Sequence, residues 1–273
     1  MTTFRDYFRP VVNQAGYVLL YPGIPEQEDL LQSYPPDPYS QSATQQYPLG
    51  TKLINGIDGW WYCKNGGTEL AIAVPTQSAA AHHAEADDNI AIGTLTAIGG
   101  TTLHLTSTDN LDAGIGATKD AFKDGYIHLH STAGAGQIFK IKSNTAFDAS
   151  ETVVPFEIES PLTIATTTSS LAGIIQHPCK NVIVSTAVAA GIFTGITMRV
   201  VTLNYYFWAK MAGPACVAAN AAIAKGTKVV IGTTAALVDP AADATTEIVI
   251  GYPLTPYTTT DDVHFMVFLN GNW

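Results

Sequence analysis

The chain has 273 residues, of which 13% are charged and 47% are hydrophobic, and its formal net charge is −10. An ordinary soluble domain has about 25% charged residues, so this composition excludes an intrinsically disordered chain. The acidic balance without a Lys/Arg cluster argues against a nucleic-acid partner. Apolar runs shorter than the ~20 residues that span a bilayer, together with a polar N-terminal segment, predict neither a membrane partner nor a secretory signal.

Residues 1–50 are predicted to form an extended N-terminal arm. The stretch 22–48 is rich in Pro, Gln and Tyr, and Pro disfavours both helices and central strands. Large apolar side chains nevertheless cluster in the arm and are costly to leave in water. An arm that lies on another protein satisfies both observations, and an arm that wraps its own domain is the alternative. The candidate capsid or subunit contacts are the aromatic residues Phe4, Tyr7, Phe8, Tyr17, Tyr34 and Tyr39.

From Gly50 onward the sequence predicts short strands separated by turns. The runs 51–54 and 59–64 flank Asn55-Gly56, which is a strong hairpin signal. Strands spaced by about 10 residues with turn residues between them are typical of an antiparallel β-sandwich or β-barrel. Further strands are predicted at 69–75, 90–96, 101–106, 125–130, 137–143, 152–158 and 181–185.

The last third of the chain repeats this pattern, so we predict an all-β protein. Its domains are the arm at 1–50, a β-sandwich or β-barrel at 51–190 and a small β-barrel-like domain at 191–273. Helical signals are limited to a turn or two at 111–122 and 218–224. The predicted C-terminal strands are 195–203, 204–210, 215–218, 228–231, 236–238, 247–254 and 262–269.

Histidines are the strongest candidates for metal ligands. His128 and His130 share one face of a predicted strand, because side chains alternate along a strand. His104 lies on a strand predicted to be a neighbour, and His82-His83 precede the acidic stretch 85–88. Three imidazoles and a carboxylate are able to hold a transition metal. The H-x-H pattern alone is weak, so we favour polar histidines on a hydrated sheet face and predict no metal and no cofactor.

Other motifs do not predict catalysis. The acidic pairs Asp87-Asp88 and Asp261-Asp262 sit in predicted turns, and adjacent strand residues point to opposite faces. Gly134-Ala-Gly136 lacks the Lys-Ser/Thr of a phosphate loop and is predicted to be a hairpin turn. The odd number of cysteines argues against a disulfide framework, and we expect buried reduced thiols at Cys63, Cys179 and Cys216.

Aromatic residues are dense at 60–62 and 205–208. On a strand, half of them face the core of the sheet and the other half face outward. An outward aromatic face suits a subunit interface or a sugar-binding platform. Because charged residues are depleted at interface cores, the low charge of this chain favours the interface and an assembled protein.

Several segments resemble proteins of the tailed-bacteriophage virion. Residues 45–53, Gln-Gln-Tyr-Pro-Leu-Gly-Thr-Lys-Leu, and the aromatic segment 60–67 are similar to a region near the N-terminal end of those proteins. The glycine-rich turn within 124–144, followed by Gln-Ile-Phe-Lys-Ile-Lys, is similar to a second region. Residues 204–217 and 223–231 resemble their small C-terminal β module, which also looks like capsid decoration (cement) proteins. The resemblance spans most of residues 45–270.

This resemblance implies a structural protein that binds and stabilises the outer surface of a tailed-phage capsid. The implied partners are the major capsid protein and further copies of the chain, as a homotrimer. The protein would be made in the host cytoplasm and located in the virion, with no catalytic residue and no cofactor. The first alternative is a tail or fibre module for host recognition that binds a receptor or glycan. The second is an enzyme, either metal-dependent around His104, His128 and His130 or a glycan hydrolase.

Overall fold

The computed structural model of the chain describes residues 8–12, 18–22, 36–79, 90–106, 118–147, 152–186, 191–242, 248–258 and 264–271. All regular elements in these segments are β-strands, which confirms the predicted all-β class. Where helical turns are predicted, the described residues 118–122 and 218–224 form reverse turns and isolated bridges instead. None of the described segments contains a helix long and apolar enough to cross a membrane.

The described residues form nineteen strands in two compact units. Met1–Ala79 and Pro178–Trp273 make up the first, here called the sheet unit, and Ala80–His177 make up the second, the barrel unit. In chain order the strands are β1 (Phe8–Val12), β2 (Val18–Pro22), β3 (Gln41–Ser42), β4 (Lys52–Asn55), β5 (Asp58–Lys64), β6 (Pro75–Ser78), β7 (Ile90–Thr94), β8 (Thr102–Thr106), β9 (Tyr126–Ser131), β10 (Ile138–Asn144), β11 (Val153–Ile158), β12 (Leu171–Ile175), β13 (Val182–Val184), β14 (Phe193–Thr197), β15 (Tyr206–Val217), β16 (Val229–Ile231), β17 (Val238–Pro240), β18 (Val249–Pro253) and β19 (Phe265–Asn270).

These units differ from the predicted domains 51–190 and 191–273. In the sheet unit, thirteen strands form one sheet whose main path is β1-β2-β4-β5-β15-β19-β18-β16-β17. The 12-residue β15 lies at its centre and pairs antiparallel with β5 along one edge and with β3, β14 and β19 along the other. Strands from both predicted domains therefore share one sheet, because strand pairing joins segments far apart in the sequence.

Part of the predicted arm belongs to this sheet. The backbones of β1 and β2 form an antiparallel hairpin, and β2 in turn pairs with β4, with Leu20 opposite Lys52. For these residues the arrangement is the alternative in which the arm lies on its own domain. Further along, residues 36–50 consist of turns and the two-residue strand β3.

Two hydrophobic clusters hold the sheet unit together. One is centred on aromatic residues of β5 and β15, including Tyr62 and Trp208. The other is formed mainly by aliphatic residues of the C-terminal strands, such as Val217, Val229 and Val267. Alternation along β19 explains the second cluster, because its buried residues recur at every second position and successive side chains point to opposite faces.

The barrel unit is a closed ring of six strands in the order β10-β11-β8-β7-β12-β9. On β8, Leu103 and Leu105 are fully buried in the barrel interior, and His104 between them is only partly buried. Aromatic rings fill the interior, since Phe122 and Phe156 pack edge to face with their centroids 5.8 Å apart. The period-2 pattern predicted for these segments therefore has its apolar side inward.

The two clearest turn predictions are confirmed. Asn55 pairs with Asp58 across a two-residue loop in which Gly56 has a φ of 59°, a conformation that glycine adopts without steric cost. The loop between β9 and β10 contains Gly134 and Gly136, with φ values of 86° and 88°. It joins paired antiparallel strands, as predicted for a hairpin.

The strand predicted at 69–75 is wrong. Leu70 makes only an isolated bridge to Val201, and the regular strand begins at Pro75. Ala73 has a φ of 62°, which interrupts an extended backbone and places the strand after it. In contrast, Gly213-Pro214 is typical of a break, yet β15 continues through both residues.

Candidate functional site

Of the predicted contact residues, Tyr39 is the one whose side chain the structure describes. Phe4, Tyr7, Tyr17 and Tyr34 lie outside the described residues. Phe8 begins β1, for which the backbone is described. The contact role of these residues therefore stays a prediction, and Tyr39 is the one whose surroundings can be described.

Tyr39 is held at a turn while its side chain faces solvent. Its backbone N–H donates to Oδ1 of Asp37 at 2.9 Å, and the Ser40 N–H donates to the Asp37 carbonyl at 3.0 Å. Arg199 donates from Nη1 to the Tyr39 carbonyl at 2.8 Å. The side chain is 53% exposed. A large aromatic group on a fixed backbone suits a contact residue, because little conformational entropy remains to be lost on binding.

An aromatic cluster lies close to this turn in the sheet unit. The ring of Tyr62 packs against Trp208 with centroids 5.0 Å apart and against Tyr47 at 5.3 Å. Tyr206 stacks on the same ring at 5.9 Å. The Tyr62 hydroxyl accepts a hydrogen bond from the Gln46 N–H at 3.0 Å, and burial raises the pKa of Tyr62 to about 12. These packed, uncharged rings form one wall of a cavity.

A cavity of about 200 Å³ opens in front of this wall. Its lining combines aromatic faces with hydroxyl, amide and carboxylate groups, a mixture found at small-molecule sites. Aromatic faces and oxygen-rich side chains are also the groups that contact sugars and other polar rings. The lining residues are Pro36, Asp37, Ser40, Gln41, Ser42, Gln46, Tyr47, Tyr62, Tyr206 and Trp208.

The predicted outward aromatic face is largely absent from this sheet. Residues on both faces of β5 and β15 are buried, so most of the aromatic side chains form core instead of surface. Trp61, Tyr205 and Tyr206 are partly buried and pack against the same cluster. The same cluster contains Leu49, Leu70 and Cys179, which lie in segments outside the regular strands and pack against these aromatic residues.

A buried ion pair is the main polar feature that sequence reasoning missed. Lys210 is 3% exposed, its Nζ pairs with Oδ1 of Asp58, and it lies 4.1 Å from the centroid of the Trp60 ring. Burial lowers the pKa of Lys210, and the Asp58 carboxylate opposes this shift. A Cβ on Gly213 would lie 2.5 Å from the same carboxylate oxygen. Only the apposition of β5 and β15 brings these groups together.

The three histidines of the metal hypothesis do not meet. β8 and β9 occupy opposite positions in the six-stranded ring, so His104 lies across the barrel from His128. His128 and His130 are close, with ring centroids 5.6 Å apart, while residues 82–88 lie outside the described part of the chain. Among the described residues, no group of three His, Cys, Asp or Glu side chains is placed to hold a metal ion. The alternative of a metal site built from His104, His128 and His130 together is therefore wrong.

The cysteines follow the prediction in two positions out of three. Cys63 and Cys179 are buried, and burial raises the pKa of the Cys63 thiol, so it resists ionisation. Cys216 is exposed instead of buried. It alternates on β15 with Ala215 and Val217, which are buried, so its side chain points to the opposite, solvent-facing side.

The described residues therefore offer two candidate contact features in the sheet unit, the exposed Tyr39 and the aromatic cavity next to it. Comparisons with protein-family models, curated proteins and solved structures find no match. Function is accordingly inferred from the chemistry of these residues and from the sequence resemblance.

Proposed function

We propose that this chain is a virion structural protein that binds the outer surface of a tailed-phage capsid and stabilises it. Its partners are the major capsid protein and further copies of the chain, as a homotrimer. The protein is made in the host cytoplasm and ends on the outer capsid surface, where a net charge of −10 is kept away from the packaged DNA. Its proposed role is to bind and stabilise the capsid, not to catalyse a reaction.

Exposed apolar surface is the observation that carries the proposal. Large aliphatic side chains such as Ile57, Ile98 and Ile138 are each more than half exposed, in a chain with 13% charged residues. Exposed apolar surface combined with little charge is typical of faces that are covered in an assembly. A protein that spreads over several capsid subunits covers such surfaces, and its weak contacts add up through avidity.

The experiment is cosedimentation with capsids of the phage that encodes the chain, prepared without decoration. We expect saturable binding at a fixed number of copies per capsid, together with a higher melting temperature of the shell. The proposal would be refuted if the capsids bind no protein at micromolar concentration and their melting temperature does not change.

A point substitution tests the contact residue better than removal of the arm, because β2 pairs with β4 and a deletion would disturb the sheet. Tyr39→Ala is expected to weaken capsid binding by about tenfold or more, as truncation of an aromatic contact residue does. Tyr252→Ala is the matched control, since Tyr252 is a tyrosine of the same unit with 39% exposure. Equal affinities of the two variants would remove Tyr39 from the contact surface.

The aromatic cavity favours a second candidate function, a tail or fibre module that binds a glycan receptor. Asp37 lines the cavity and, through Oδ1, also holds the Tyr39 turn. Asp37→Asn keeps that acceptor but removes the charge, so the fold is retained while a sugar hydroxyl loses a strong acceptor. Asp239→Asn is the control, because the Asp239 carboxylate also accepts a hydrogen bond from a backbone N–H, that of Thr233, and does not line the cavity. The assay is binding to a glycan array. Binding that Asp37→Asn reduces and Asp239→Asn does not supports this function, and an array on which the wild type gives no signal excludes the tested glycans.

A further inference from the structure

Three loops meet at one end of the barrel unit. They connect β7 to β8 (95–101), β9 to β10 (132–137) and β11 to β12 (159–170). Neighbouring strands in the ring are antiparallel, so the three connections lie at the same end. The chain enters β7 and leaves β12 at the opposite end. We call the three loops together the loop end.

Hydrogen bonds tie the first loop to the third. The Gly99 N–H donates to the Leu162 carbonyl at 2.8 Å, and the Leu162 N–H donates back to the Gly100 carbonyl at 2.9 Å. The Thr166 N–H donates to the Thr96 carbonyl at 3.0 Å. Leu162 itself is buried and closes the barrel core. This part of the loop end is therefore fixed by the backbone.

Gln137 joins the second loop to the third. Its Oε1 accepts from the Thr163 N–H and hydroxyl, both at 2.9 Å, and from the Ile164 N–H at 3.2 Å. Its Nε2 donates to the carbonyls of Gly134 at 3.0 Å and Ile164 at 3.1 Å. One side chain thus fixes both loops, and a partner meets a surface that is already ordered.

The fixed loops present large aliphatic side chains to solvent. Leu95 is 57% exposed, Ile98 is 68% exposed and Ile164 is 50% exposed. Ile138, at the first position of β10, is 67% exposed. Natural surfaces carry single exposed aliphatics often, but three on loops joined by hydrogen bonds, with a fourth where the adjoining strand begins, indicate a contact surface.

The loop end carries almost no charge. Glu159 is the only charged residue in the three loops, and it is paired with Lys140 at 3.2 Å. The remainder consists of Thr, Ser, Ala, Gly and aliphatic residues with one Gln and one Pro. In a chain with a net charge of −10, this is a surface where two copies can approach without bringing like charges together.

We infer that the loop end is the surface through which copies of this chain associate. Association buries exposed aliphatic groups, and the hydrogen-bonded loops lose little conformational freedom. Symmetric homo-oligomers close through such self-complementary patches. The inference rests on the self-association within the proposed function, but it does not depend on capsid binding, so the two can fail separately.

The test is sedimentation of the purified full chain over a range of concentrations. We expect the wild type to associate, and Ile98→Asp to weaken association by at least about tenfold, because each copy would bring a desolvated carboxylate into the contact. Ile57→Asp is the matched control, since Ile57 is 63% exposed on a tight turn of the sheet unit. It is expected to sediment like the wild type.

Circular dichroism and capsid binding, measured on the same variants, separate the possible outcomes. Circular dichroism reports whether Ile98→Asp folds, and the milder Ile98→Thr replaces it if it does not. A wild type that is monomeric throughout, or an Ile98 variant that associates as strongly as the wild type, overturns the inference. Association that persists in an Ile98 variant that has lost capsid binding also overturns it and identifies the loop end as the capsid contact. Capsid binding that already fails in the wild type, while the wild type associates and the Ile98 variants do not, counts against the proposed function alone.

Discussion

The Lys210–Asp58 pair allows a prediction whose size can be worked out for each partner. Removing one member of a buried ion pair commonly costs about 3–5 kcal/mol, because the other charge stays buried without compensation. Asp58→Ala leaves Lys210, which is 3% exposed, although the Trp60 ring at 4.1 Å still stabilises it by about 1–2 kcal/mol. We therefore expect a loss of about 2–4 kcal/mol in the free energy of unfolding.

The reverse substitution is expected to cost less. Lys210→Met keeps most of the side-chain volume, and the Asp58 side chain that remains is 35% exposed, so water can solvate the carboxylate. The expected loss is about 1–2 kcal/mol. The double variant should be more stable than Asp58→Ala alone, because it contains no unpaired buried charge.

The pH dependence gives the same prediction a second readout. Burial lowers the pKa of Lys210 and Asp58 raises it again, so removal of Asp58 lowers this pKa further. Between the folded pKa and the unfolded value of about 10.4, the unfolded state binds more protons and stability rises with pH. The deficit of Asp58→Ala relative to the wild type should therefore shrink as the pH rises toward the unfolded pKa of lysine.

Urea unfolding followed by tryptophan fluorescence measures these differences. All four tryptophans belong to the sheet unit, so the signal does not report on the barrel unit. Lys64→Met is the control, because Lys64 lies 5.6 Å from the Tyr206 ring centroid and pairs with a ring instead of a carboxylate; its loss should stay near 0.5–1 kcal/mol, roughly the value of an exposed contact. A larger loss for Lys210→Met than for Asp58→Ala, or a deficit independent of pH, would refute the reasoning.

Three further predictions follow from single residues. Gly213→Ala should destabilise the sheet unit by about 2 kcal/mol or more, since φ is 84° and the new Cβ would touch a carboxylate; urea unfolding checks this. Cys216 should react with a thiol reagent in the native protein, whereas the two buried cysteines should react only after unfolding; one fast equivalent out of three is expected. Gln137→Ala should speed amide exchange in loops 132–137 and 159–170 without changing the tryptophan signal, and unchanged exchange would contradict its bridging role.

Local signals in the sequence predicted most strands. Alternation at 101–106 and 125–130 identified β8 and β9, because the period of two is a property of the strand itself. Asn55-Gly56 identified the first hairpin for a similar reason, since the turn needs a residue that tolerates positive φ. Leu171–Ile175, in contrast, was not predicted, and its pairing with β7 and β9 is what makes it a strand.

Candidate sites were harder to predict because they depend on which strands become neighbours. His104 and His128 follow similar patterns in sequence, yet closure of the ring puts them on opposite sides. Lys210 lies in a run of apolar residues without a local partner, and its ion pair exists only because β5 lies beside β15. A contact role was predicted for Tyr39, but the hydrogen bonds that fix its turn involve Arg199, 160 residues away in the chain.

Composition and periodicity by themselves determined the all-β class, the hairpin turns and the scarcity of charge in this protein, because each is a property of residues or of short segments. The tertiary structure decided the division into a sheet unit and an inserted barrel unit, the burial of the aromatic strands and the uncharged loop end. These features arise from pairings between distant segments, whose free energy depends on contacts that no local stretch contains. Composition showed that the chain carries little charge. Only the closed barrel, which brings three separate loops to one end, shows where an uncharged surface lies.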